Sequence, residues 1–332
     1  MTRTSFLIML GVLLSFLLTA VLYRKRTGSI TAVLAFYPMA FILSVLFCRF
    51  LHWYSAGQLY KSLFQALFNL KIGTYSGAGI VIGTCLAGWI TAKLGFCKSR
   101  GKLMDCFAPG FLLLFLFIRL SAWGTGRCQG GKNITAKLLH FFPVCVKGTD
   151  AAGSTYWRFA TFAFEAVLLL IAFLFVLKFY AEEGTRHMKK PARRFGNVWK
   201  WALTLFSAMD IVLDSTRIDS LHFTFRKILT LNRFSSFVSI GQVIPAVVLL
   251  CVFVYYLKNS VKARGFRGDH ALALAAFVLG LVLIGYFGEY KWQRLGKYWS
   301  YLSMAAGSGL IVYTVRQLME SCVKRTRPRP EE

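Results

Sequence analysis

Apolar residues run along this chain in long blocks rather than in alternation. Nine stretches stand out, near 5–23, 28–50, 72–95, 104–123, 160–181, 199–213, 236–257, 271–287 and 298–315. Each approaches the about 20 residues that a helix needs to cross the hydrocarbon core of a bilayer. The sixth is the weakest, because Asp210 lies inside it and Asp214 just beyond. Barrel strands would alternate over about 10 residues, so these runs predict helices. The longest interval between runs spans 124–158 and leaves no room for a soluble domain. The expectation is an all-α, polytopic transmembrane helix bundle. The first run follows only Met1-Thr2-Arg3 and is followed by Arg24-Lys25-Arg26. Its apolar core exceeds the roughly 7–15 residues of a signal peptide and no small-residue cleavage site follows, so it is expected to remain as a helix.

Composition strengthens that picture. Of 332 residues, 56% are hydrophobic, 31 are Phe, and only 16% are charged, against about 25% in soluble proteins. The mean hydropathy is +0.56. Disorder, collagen, coiled coil, a small disulfide scaffold and a soluble cofactor enzyme are excluded. The net charge of +27 does not imply nucleic acid, because the basic residues form short runs between apolar stretches rather than one polar patch. With the N-terminus outside, the inner segments carry 23 Lys/Arg and the outer ones 15. Basic residues concentrate on the cytoplasmic side of a membrane protein, so nine spans predict an N-out/C-in arrangement.

Candidate chemistry lies in charges that lipid disfavours. Arg49, Asp105, Arg119, Glu165, Asp210 and Asp214 fall in or at the ends of spans, where an ionisable group usually faces a cavity or a partner. Arg49 can snorkel from a helix end, and Asp105 can cap the start of the fourth span. Asp210 and Asp214 share one helical face and need a cation, which Arg217 could supply. Arg119 follows the unbroken run Phe111–Ile118. Its guanidinium stays charged and presents a fork suited to phosphate or carboxylate. It is either a lipid-phosphate anchor or the partner of a buried acid. Gly79 and Gly83 have the spacing of close helix packing. Cys128 and Cys145 share the long outer loop and could pair. No His/Cys cluster suggests a metal.

Taken together these residues resemble the bacterial prolipoprotein diacylglyceryl transferase family. Tyr75-Ser-Gly77-Ala-Gly79-Ile-Val-Ile-Gly83 is similar to its Gly-rich stretch, with the preceding His/Tyr position met by Tyr75, Ser76 or Ala78 according to register. Asp105-Cys-Phe-Ala108-Pro109 matches its Asp-x-x-Ala-Pro. The run from Arg119 through Ala122, Gly126 and Cys128 to Gly130 matches its signature. Arg49-Phe-Leu-His52, Glu165, Asp210-Ile-Val-Leu-Asp214-Ser-Thr-Arg217 and Ser239-Ile-Gly-Gln242 resemble further family motifs. The chain departs from the pattern at Ala122, Thr125, Arg127 and Asp210, the last standing where the family has an Arg.

The resemblance implies a seven-helix transferase-like core, residues 1–258, with two C-terminal helices and a basic cytoplasmic tail in 259–332. It implies transfer of the diacylglyceryl group of phosphatidylglycerol to the lipobox cysteine thiol of a prolipoprotein, the first step of lipoprotein maturation, in a bacterial plasma membrane. The partners are then phosphatidylglycerol, the prolipoprotein signal peptide and the bilayer, without nucleic acid, cofactor or metal. Arg119, Asp214 and Tyr75 would be catalytic. Arg119, Arg49, Arg217, Gly77, Gly79 and Gly130 would bind phospholipid, and Asp105, Asp210, Gln242 and His52 would support them. The departures leave a second reading, a non-catalytic relative that binds a lipid or lipoprotein precursor. A transporter is a third, but the two halves of the chain lack the internal repeat that such a fold uses.

Overall fold

The computed structural model describes residues 3–55, 60, 62–68, 76–123, 125, 128–130, 134–149, 155–189, 195–217, 239–287 and 298–324. Among these, a long helix occupies each predicted span: α1 (Arg3–Thr27), α2 (Thr31–Ser55), α4 (Gly77–Lys93), α5 (Arg100–Ser121), α6 (Thr161–Lys189), α7 (Asn197–Asp214), α8 (Ile240–Arg264), α9 (Gly268–Gly285) and α10 (Tyr298–Lys324). A short helix, α3 (Leu63–Phe68), and an antiparallel hairpin of β1 (Cys145–Thr149) and β2 (Thr155–Phe159) lie between spans. The apolar pattern did not foresee either. Six of the nine helices are long and apolar enough to cross a membrane: α1, α2, α5, α6, α8 and α9. Helix α4 is apolar but has 17 residues, which rise about 26 Å, slightly less than a bilayer core.

By contacts the described chain forms two compact units. One comprises Met1–Ala202 with Thr216–Gly241, the other Leu203–Ser215 with Gln242–Glu332.

In the first unit, small residues set the helix spacing, as expected where lipid removes the hydrophobic drive between helices. Helix α1 buries Gly11, Ser15, Thr19 and Tyr23, one per turn, against α5. A Cβ at Gly11 would lie 2.5 Å from Cβ of Phe117, and one at Gly110 would lie 2.6 Å from Oγ1 of Thr19. The Tyr37 hydroxyl of α2 meets those of Ser15 and Thr19 at 2.8 and 2.9 Å. Helices α2 and α4 approach most closely where Gly79 faces Cys48 and Gly83 faces Ser44. Around α5, Phe36, Phe107, Phe111 and Trp199 pack ring against ring.

Asp105 occupies the second turn of α5 and is fully buried. It does not cap its own helix, as the sequence suggested; Ser99 does, accepting from the Lys102 amide. The Asp105 carboxylate instead accepts the backbone amides of Gly196 at 2.7 Å and Trp199 at 3.0 Å, so it caps α7 from a neighbouring helix. Gly196 makes the turn with a φ of 101°, a left-handed conformation that glycine adopts without steric cost. Pro109 lies four residues on and has no amide to give to the Asp105 carbonyl.

In the second unit, Phe253 of α8 stacks on Phe277 of α9 at 3.9 Å between centroids. Gly280 of α9 meets Gly307 of α10 so closely that either Cβ would fall 2.8 Å from the other's carbonyl. At one end the Ser260 hydroxyl meets His270 Nε2 at 2.8 Å and the Ser321 hydroxyl at 2.7 Å. These contacts join α8 to the two helices that follow it.

Candidate functional site

The last turn of α5 and the second turn of α6 bring opposite charges together in the first unit. Arg119 precedes the end of α5 by two residues, and Glu165 lies four residues into α6. Their exposures are 7% and 1%. Arg119 Nε and Glu165 Oε2 are 2.6 Å apart. Each charge sits near the helix end whose dipole favours it, the cation at a C-terminus and the carboxylate close to an N-terminus. Arg217 approaches the same carboxylate, with its Nη1 3.9 Å from Oε1. One buried anion is thus shared by two guanidiniums.

Backbone pairing places these residues. Gly130 donates its amide to the Phe159 carbonyl at 2.8 Å and forms an antiparallel bridge with Arg217. The Thr161 and Thr216 hydroxyls meet at 3.0 Å, and the Phe162 amide donates to the Cys128 carbonyl at 3.0 Å. The segment carrying Cys128 and Gly130 is therefore pinned to the entry of α6, and Arg217 to that segment. Gly130 has no space for a side chain, because a Cβ would lie 2.9 Å from Cβ of Phe159. Arg119 Nη1 also donates to Cys128 Sγ at 3.6 Å. Ala122, Cys128, Ala160, Phe162 and Ala163 close over the site as a small apolar cluster.

Of the residues singled out in the sequence, the structure joins Arg119, Arg217 and Gly130 in this one place. For Arg119 it forms the ion pair with a buried acid, and that acid is Glu165. Glu165 was noticed as a buried charge but given no role in the site. Its signal was legible: it is the one acid in the run 160–181. Cys128 was weighed as half of a disulfide. The structure corrects this, since Cys128 and Cys145 are both free and buried, and burial pushes the Cys145 thiol pKa up.

The remaining candidates are described on their own elements. On α2, Arg49 is buried, and His52 Nδ1 meets the hydroxyl of buried Tyr60 at 2.8 Å. Gly77 opens α4, and the Cys48 thiol donates to the Ser76 carbonyl just before it. Gly79 serves the close packing of α4 on α2, where it faces Cys48. Asp105 belongs to the opposite end of α5. Asp210 and Asp214, both buried on α7, and half-buried Gln242 at the start of α8 are in the second compact unit. Tyr75 lies outside the described residues. Among the described residues no group of three or more His, Cys, Asp or Glu could hold a metal ion.

A family model described as prolipoprotein diacylglyceryl transferase matches residues 4–258. Two curated relatives, from two strains of Clostridium kluyveri, are named phosphatidylglycerol–prolipoprotein diacylglyceryl transferase. Each is 24% identical over 266 residues, covering 79% of this chain and 93% of the relative. No solved structure matches the chain. Six helices of membrane-crossing length make it a multi-pass membrane protein. With more than half of its length matched, the chain belongs to the prolipoprotein diacylglyceryl transferase family.

Proposed function

We propose that this chain transfers the diacylglyceryl group of phosphatidylglycerol to the lipobox cysteine thiol of a prolipoprotein. Within the described residues, the observation that supports this is the pair of guanidiniums, Arg119 buried and Arg217 half-buried, around buried Glu165 at the end of a membrane helix. In the reaction, the cysteine sulfur attacks the carbon of the diacylglyceryl moiety that is bonded to the phosphate oxygen. An S–C bond forms, the C–O bond to phosphate breaks, and glycerol phosphate leaves with one more negative charge than the diester had. The thiol proton passes to a carboxylate. A site that favours this must offer positive charge where the leaving oxygen becomes negative.

Arg119 is the phosphate-binding fork in this scheme. Glu165 engages it at Nε, which sets the plane of the guanidinium and the direction of its terminal nitrogens. Arg217 and Arg49 are the further cations. Asp214, three residues before Arg217 in the chain, takes the thiol proton or orients an Arg, and Tyr75 assists at the reacting centre. Gly77 and Gly130 complete the phospholipid site through their backbone, and Gly79 does so indirectly, by seating α4 on α2. Asp210, Gln242 and His52 support it. The transferase core is residues 1–258, with 259–332 as an added helix pair. The setting is a bacterial plasma membrane with the N-terminus out and the C-terminus in.

One feature favours a non-catalytic, lipid- or precursor-binding role instead. Ala122, where the resemblance expects Asn or Cys, is packed into the apolar cluster and offers no polar group. A single assay separates the two roles: labelled diacylglyceryl transfer from phosphatidylglycerol to a lipobox peptide, with the full chain in phosphatidylglycerol vesicles. Product that disappears in Arg119→Gln supports catalysis. No product from a folded preparation, beside an active control enzyme, leaves the binding role.

A further inference from the structure

The loop that carries the hairpin has an apolar tip that the transfer scheme does not use. Leu138 is 86% exposed, Phe141 52%, Phe142 51% and Trp123 45%. Exposed Ala136 and Pro143 extend the surface, and exposed Lys137 borders it. A soluble protein rarely leaves such a patch uncovered. Its position identifies what covers it. Trp123 stands two residues beyond the end of membrane helix α5, the level at which aromatic belts meet the water interface. The Arg3 guanidinium, at the start of membrane helix α1, lies 4.9 Å above the Trp123 ring, so two spans end at this height. Phe142 stacks on the same Trp123 ring, with centroids 5.1 Å apart and planes 10° from parallel. The tip is therefore continuous with the lipid-facing surface of the bundle.

Its local structure keeps it extended from the body. A 3-10 turn at Lys137–Leu139 projects Leu138 outward, while the His140 ring folds back, stacked on Trp157 at 4.8 Å with Nε2 2.8 Å from the Ile134 carbonyl. Leu138 is thus presented outward while the His140 ring just after the turn is held against β2. Aromatic and aliphatic residues flanked by Lys are the composition of segments that lie in the interfacial layer of a membrane.

We infer that residues 136–143 form an interfacial anchor, with Leu138, Phe141 and Phe142 immersed in the lipid leaflet on the side where α1 begins. The hairpin loop then meets the membrane beside its own helices, and the anchor fixes the height of the segment that delivers Cys128 and Gly130 to Arg119.

The test uses the full chain in vesicles of equal parts phosphatidylethanolamine and phosphatidylglycerol. Leu138→Cys, in a Cys251→Ser background, carries an environment-sensitive fluorophore. The background alone gives the blank, and native Cys251, exposed on spanning helix α8, gives the lipid-buried control. At so exposed a position the substitution leaves the fold intact. The expected result is quenching by nitroxide placed near the lipid glycerol several-fold stronger than by aqueous iodide, independent of protein-to-lipid ratio. Stronger quenching by iodide overturns the anchor. Shielding that grows with protein density assigns the patch to a second copy, and shielding that requires added lipobox peptide assigns it to the precursor; either result also overturns it.

Discussion

Asp105 and Arg119 stand fourteen residues apart on helix α5, about 21 Å by helical rise, and both are buried ionisable groups in a membrane-crossing segment. At the Asp105 end the charge is met by backbone. Two amides of the α7 entry point at the carboxylate, and every contact has a structural use. At the Arg119 end the charge is met by side chains. Two guanidiniums converge on Glu165. The first arrangement pairs one side chain with backbone alone, and the second gathers charged side chains from separate parts of the chain. The difference shows how a buried charge can be read: one met by backbone holds the fold, and one met by other charged side chains is the place to look for chemistry.

Four outcomes test this contrast. The largest effect is expected for Glu165→Gln, which removes the carboxylate that Arg119 and Arg217 share. Breaking a buried pair costs about 3–5 kcal/mol, to be seen as a lowered thermal midpoint in detergent. If the midpoint stays in place, Glu165 is not the hub of the group. Arg119→Gln should follow, with transfer to the lipobox peptide reduced by about 10²–10³-fold, the loss typical of one transition-state donor. Retention of full turnover would remove Arg119 from the chemistry. Asp105→Ala should act on stability alone. It strips two amides of a charged acceptor, at a cost of about 2–3 kcal/mol, while transfer per folded molecule is unchanged. A drop in that specific activity would erase the distinction between the two ends. The smallest effect, none, is expected from reductant. Cys128 and Cys145 are free, so mobility and melting should be the same with and without a reducing agent.

Much of the fold was legible because lipid imposes one rule along the whole chain. Any segment that crosses must satisfy its backbone internally, so apolar runs and helices coincide, and each predicted span became a helix. The hairpin escaped for the opposite reason. The alternation in 145–159 is short, and its strands are held partly by distant partners, such as the Cys128–Gly130 segment. Arg119 was legible as a charge where lipid disfavours one, but its partner was not. Asp105, Glu165, Asp210 and Asp214 were all possible acids, and choosing among them depends on which helices are neighbours. Asp105 was misjudged in the same way. A carboxylate near a helix start suggests a cap for that helix, whereas here it caps another one ninety residues along the chain.

Gly130 carries a consequence for any survey of variants. Its lack of a side chain is required by Phe159, and its amide is used by the same residue. A saturation screen will therefore score this position as intolerant even when no lipid is present. Loss of function there reports on assembly, and it cannot be counted as proof that a head group touches the backbone at that point.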